Sequence, residues 1–115
     1  MFDELKKVMT GRRSIRKYKP DKIPEEALKN ILNAGRLAPS AGNRQPWHFI
    51  VITDPEIKRK LAQGRWNRFI VDAPVVIVGC GYIGDAYGRK WSTVDVSIAL
   101  ENMVIAAAAQ GIGSC

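Results

Sequence analysis

The stretch LAPSAGNRQPWHFIVIT, Leu37 to Thr53, decides how the rest of the chain is read. Its first half is small and loop-forming. Its second half, His48 to Thr53, is dense in β-branched and aromatic residues and is a strand. A polar, glycine-bearing loop is therefore set directly against a strand. Pro39 and Pro46 restrict its backbone at both ends. Gly42 permits close approach of a ligand or a second backbone. Ser40, Asn43 and Gln45 bring hydroxyl and amide groups able to read the polar edge of a planar ligand. Trp47 is expected to anchor the junction in the core. The competing reading is a helix end followed by a polar turn, and the stretch alone does not separate the two.

Upstream, Phe2, Leu5, Val8 and Met9 recur at helical spacing, and Thr10-Gly11 ends that helix. Pro24, with Glu25 and Glu26 behind it, opens a second helix. Its face is Leu28, Ile31, Leu32 and Gly35, and it stops at about Leu37, ahead of Pro39. Downstream, Pro55 to Gln63 reads as a helix with proline in its first turn, and RWNRFIVDA as a further short one. VVIVGC, Val75 to Cys80, is a second strand, apolar on both faces. GYIGDAYGRKW reads as a glycine-rich loop. Ser92 with Asp95 resembles a capping box, so the last helix is expected from there. Its second half is apolar all round, which predicts burial in the middle of the fold. Gly111-Ile112 fits a Schellman end. Strands separated by helices point to helices packed on a sheet. Two strands make a marginal sheet, so a further strand is expected at GIGSC or from a second chain.

The 115 residues carry 46% hydrophobic and 25% charged side chains, which excludes the disordered and fibrous classes and suits one domain, 1–115. Net charge is +7, which favours anionic partners. The charge is local. Residues 12–22, RRSIRKYKPDK, hold six bases and one acid, whereas Thr93 onward holds only Asp95 and Glu101. A short basic stripe suits one anion site better than a nucleic-acid face, and no nucleic-acid partner is expected. Two cysteines, Cys80 and Cys115, make no disulfide framework. The start is no signal peptide, and the longest apolar run, Met103 to Ala109, is too short to span a bilayer. The expectation is a cytoplasmic protein without a membrane partner.

Arg12, Arg13 and Arg16 surround Ser14 just after a helix end. Guanidinium forks suit phosphate, and serine adds a donor. Three such charges repel unless an anion joins them, although a solvated basic turn remains the commoner role for a charge run. GCGYIG, Gly79 to Gly84, matches G-x-G-x-x-G literally. A dinucleotide site needs a helix opening at the third glycine and an acid ending a second strand. DAYGRKW shows neither, and the match is set aside. His48 is the only histidine, so no metal site is expected, and it is read as packed or hydrogen-bonded. Cys80 is read as a small buried residue. Asp95 and Glu101 are read as capping and helix-face residues.

Four motifs in order resemble the nitroreductase family of FMN-dependent oxidoreductases: RRSIR at 12–16, APSAGNRQPW at 38–47, VDAPVVIV at 71–78, and WSTVDVSIALENMVIAAAAQGIGSC at 91–115. The resemblance implies an α+β sandwich, a central mainly antiparallel sheet flanked by helices, in an intertwined homodimer with FMN at the interface. It implies that Arg12, Arg13, Ser14 and Arg16 take the phosphate, the ribityl chain and the N1/C2-carbonyl edge. It implies that Pro39, Ser40, Ala41, Asn43 and Gln45 form the loop laid against the partner's flavin. NADH or NADPH would be the donor, and a nitroaromatic, quinone or similar acceptor the oxidant, in ping-pong order. The family pattern continues beyond G-x-G-[ST]-C, so a C-terminally short domain is expected. The runner-up reading is a non-catalytic homodimer of the same fold that binds flavin weakly or not at all.

Overall fold

A 24-residue C-terminal helix organises the chain. In the computed structural model, which describes residues 1–115, the order is α1 (Phe2–Gly11), α2 (Glu25–Arg36), a 3₁₀ turn (Ala41–Asn43), β1 (Trp47–Ile52), α3 (Pro55–Leu61), a second 3₁₀ turn (Arg68–Asp72), β2 (Val76–Gly81) and α4 (Ala86–Ala109). The inner stripe of α4 is Gly88, Ser92, Asp95, Val96, Ala99, Met103 and Ala107, spaced by three and four as one helix face requires. Helix α2 lays Ile31 and Gly35 on that stripe. Ile31, Met103 and Ala107 form the core, with Leu32, Phe49, Ile77, Leu100, Ala106 and Ile112 around them.

β1 and β2 pair antiparallel, from Trp47 opposite Gly81 to Ile52 opposite Val76. The Tyr82 N–H donates to the Pro46 carbonyl at 2.9 Å, adding one rung. Two strands are few for an independent sheet; this one is covered by α4. The strand expected at GIGSC does not form; an isolated parallel bridge pairs Ser114 with Ser14, the Ile15 N–H donating to the Ser114 carbonyl at 2.8 Å. The end of α4 is the expected Schellman motif. Gly111 takes φ +75°, its N–H reaches the Ala108 carbonyl, and the Ile112 N–H reaches the Ala107 carbonyl, as that motif demands.

Several expectations are corrected. Helix α4 begins at Ala86, well before Ser92. Asp85 is the N-cap, its side chain accepting from the Gly88 N–H at 2.7 Å. Ser92 and Asp95 are not a capping box but buried members of the helix, 2% and 3% exposed. A helix therefore does open just after Gly84. The dinucleotide reading still fails, because β2 is the antiparallel neighbour of β1 and no parallel βαβ unit holds the glycines. The apolar half of α4 is covered on one stripe only, and its other residues are half-buried. Helix α4 is long and apolar enough to cross a bilayer, with a mean hydropathy of 1.3 over its best 18 residues. Its packing against α2 and the sheet, with Asp95 buried on it, makes it a core helix here. Trp47 is half-buried and stacked on Phe49 at 6.4 Å rather than sunk in the core, His48 is exposed, and Cys80 is half-buried.

Only 14 of 115 residues are buried, far fewer than a chain of this size can bury by itself. The apolar stripe of α1 forms but is covered only at Val8, which is half-buried: Phe2 is 68% exposed, and Leu5 and Met9 are about half exposed.

Candidate functional site

The basic segment follows the end of α1 and runs beside the chain's last residues. Arg12 is the C-cap of α1, its N–H bonded to the Val8 carbonyl at 3.0 Å. Its side chain is 37% exposed and stands 4.0 Å from Glu101 of α4. Arg13 folds back, one guanidinium nitrogen donating to the Thr10 and Arg12 carbonyls at 2.8 Å each, where a cation complements the helix C-terminus. Arg16 is exposed. Ile15 and Tyr18 are half-buried, as expected. A shallow hollow of about 210 Å³ is lined by Gly11, Arg12, Arg13 and Ile15 on one side and by Gly111 to Ser114 on the other. Of the three guanidinium groups within these five residues, only that of Arg12 stands near a carboxylate.

The 39–45 loop is a built turn, not a slack connection. Gly42, Asn43 and Gln45 all take left-handed φ, at +60°, +53° and +53°, a region costly for residues with a Cβ. The Ser40 hydroxyl oxygen accepts from the Gln45 N–H at 2.9 Å, and the Asn43 N–H donates to the Ser40 carbonyl at 2.9 Å. A side chain at position 42 would place its Cβ 2.8 Å from the Tyr87 hydroxyl. Arg44 pairs with Asp85 and lies 4.7 Å over the Tyr87 ring. The Ala41 N–H donates to the Asp95 carboxylate at 3.0 Å. Pro39, Asn43 and Gln45 are exposed, while Ser40 and Ala41 are half-buried.

The Gly88 N–H and, second to it, the Arg44 guanidinium hold the Asp85 carboxyl below the ordinary aspartate range. The Asp85 side chain is 41% exposed, so this is a local effect at the helix start.

The two segments do not meet within one chain. The loop sits on Asp95 and the arginines beside Glu101. Six residues along a helix separate them by about 9 Å and by about 120° around the axis. Sequence reasoning missed Asp95 as the loop's anchor and the Arg44–Asp85–Tyr87 tie. The signal for the first was present as an acid on an otherwise apolar stripe.

One long helix is thus the scaffold for both the arginine segment, beside Glu101, and the ordered polar loop, seated on Asp95. Comparison with known proteins gives the scaffold its place. The profile of the Nitroreductase family matches residues 9–69 and 62–115, and the chain belongs to that family. It is 40% identical over 115 residues to an Archaeoglobus fulgidus protein with the provisional name NADH dehydrogenase/NAD(P)H nitroreductase, covering 98% of this chain and 66% of that one. It also resembles an FMN-dependent nitroreductase structure from Clostridium difficile, with 37% identity and a TM-score of 0.82, covering all of this chain and 64% of that one. A Desulfovibrio desulfuricans structure provisionally named a nitroreductase, in complex with FMN, gives 32% identity and a TM-score of 0.85, covering 95% and 64%. The chain spans 59–66% of the length of the first curated relatives it matches. The fold is nitroreductase-like, as the motifs implied.

Proposed function

We propose that the chain works in a cytoplasmic FMN-dependent oxidoreductase that acts as a homodimer. When bound, FMN supplies two-electron chemistry, carrying hydride from NADH or NADPH to a nitroaromatic, quinone or similar acceptor in ping-pong order. The observation that carries the reading is the donor set at 12–16, three guanidinium groups and a hydroxyl of which only Arg12 stands near a carboxylate, Glu101 at 4.0 Å. Such a set suits the phosphate end of FMN. Arg12 and Arg16 would hold the phosphate and the N1/C2-carbonyl edge, with Ser14 on the ribityl chain. Arg13, tied to the α1 carbonyls, would shape the turn and add charge to the site. Guanidinium groups near N1 favour negative charge developing on the ring.

The hollow of about 210 Å³ is smaller than the ~300–1,000 Å³ typical of a site that encloses such a ligand. The separation of the loop from the arginines supports the same reading: Pro39, Ser40, Ala41, Asn43 and Gln45 would pack on the flavin held by a second copy. The mostly uncovered apolar stripe of α1 and the half-exposed α4 surface, including Val94 and Ile98, are the kind of area an intertwined partner covers.

The test is Arg12→Ala and Arg16→Ala with FMN affinity as readout. Each removes a charge-assisted contact worth roughly 1.5–3 kcal/mol, so the dissociation constant should rise by at least tenfold while the far-UV spectrum stays unchanged. Unchanged affinity in both would refute the assignment of this segment to the cofactor.

A further inference from the structure

We infer that Asp95 is a positioning residue for the cofactor-facing loop: its carboxylate, buried beneath residues 39–45, holds that loop in the pose that presents Asn43 and Gln45. The inference rests on the flavin-facing reading of the loop given above. Asp95 lies on the inner stripe of α4 in line with Val96, Ala99 and Met103, and is 3% exposed. A carboxylate there is rare and needs a partner. Its partner is the Ala41 N–H at 3.0 Å, 54 residues away in sequence.

The loop's internal bonds, Gln45 N–H to Ser40 Oγ and Asn43 N–H to the Ser40 carbonyl, fix its shape but not its place. Besides the stacking of Arg44 on the Tyr87 ring, two polar ties connect it to α4. The Arg44–Asp85 ion pair is 41% exposed on both partners and is weak for that reason. The Asp95 bond is part-buried, and its carboxylate is shielded from water. With left-handed φ at Gly42, Asn43 and Gln45, a released loop has cheaper conformations to enter. Each unit of population lost from the binding pose weakens ligand affinity in proportion.

The experiment compares FMN affinity of the wild type with Asp95→Asn, Asp95→Leu and Asn43→Ala. Asn keeps an oxygen to accept from Ala41, so affinity should stay within about threefold, whereas Leu removes it and affinity should fall about tenfold. If Asn43→Ala weakens FMN but Asp95→Leu does not, the inference about Asp95 is overturned while the loop's role stands. If Asn43→Ala has no effect, the flavin-facing reading fails instead, and this inference with it. Amide hydrogen exchange in the wild type without flavin decides the case even if the Leu variant does not fold. The Ala41 amide should be protected well beyond that of exposed Gly42, and equal exchange at the two would overturn the clamp.

Discussion

The packing of α2 on α4 turns on one close approach, and replacing Gly35 with alanine tests it. A Cβ at Gly35 would stand 2.3 Å from Met103 Cε, 3.0 Å from its Cγ and 3.3 Å from its Sδ, and those three atoms are its nearest neighbours. Gly35 is buried and Met103 is 5% exposed, so the methyl cannot simply face water. Overpacking of this kind costs about 1–3 kcal/mol. Alanine in a helix interior recovers about 1 kcal/mol over glycine. Gly35→Ala alone should therefore destabilise by about 1 kcal/mol. Met103→Ala leaves a hole in the core and should cost about 2–5 kcal/mol. It also deletes the three atoms nearest the new methyl. In that background Gly35→Ala should become stabilising by about 1 kcal/mol, giving a coupling energy of about 2 kcal/mol in a double-mutant cycle. Urea unfolding of the four proteins at matched concentration measures it. A Gly35→Ala effect of the same sign and size in both backgrounds would refute this account of the helix pair.

The α4 ends give two further predictions. Gly111→Ala adds a methyl with nothing within 4 Å, so only the left-handed backbone at φ +75° opposes it. The net loss should be about 1 kcal/mol by urea unfolding, and no loss would mean the Schellman turn is absent. Asp85 has its carboxyl held low by the Gly88 N–H and Arg44. A folded pKa below the unfolded one gives stability that is present above the ordinary aspartate value, near 3.9, and lost as pH falls through the folded value. Carbon NMR of the carboxyl should show titration below that ordinary value. Asp85→Asn, which keeps a capping oxygen, should abolish this acid-range loss at the start of α4 while leaving the helix intact at neutral pH.

Sequence and structure agree where a local rule has one solution. Gly111-Ile112 after an alanine run could end a helix in few ways, and Pro24, Pro39 and Pro55 bound α2 and α3 by removing alternatives. The start of α4 was hidden because Ser92 and Asp95, polar residues read as a cap, occupy core positions. The true cap, Asp85, is followed by Tyr87 and Gly88 instead of the glutamate or glutamine of a capping box. Residue type alone suggests Trp47 as a core anchor and His48 as packed or hydrogen-bonded. What lies over a strand depends on neighbours far away in sequence, and here the covering helix leaves His48 exposed and Trp47 half-buried. The arginine segment and the polar loop were legible as chemistry. Their separation by a helix was not, because it follows from which face of α4 each one meets.

The proposal that the arginine segment at 12–16 holds the phosphate of FMN is tested most directly by fluorescence titration of the protein with FMN and with riboflavin. The two ligands share the ring and ribityl chain and differ by the phosphate. The account predicts saturable quenching with FMN, at least tenfold weaker binding of riboflavin, and loss of that difference in Arg12→Ala or Arg16→Ala. Equal affinity for the two flavins, or no binding of either, would contradict it.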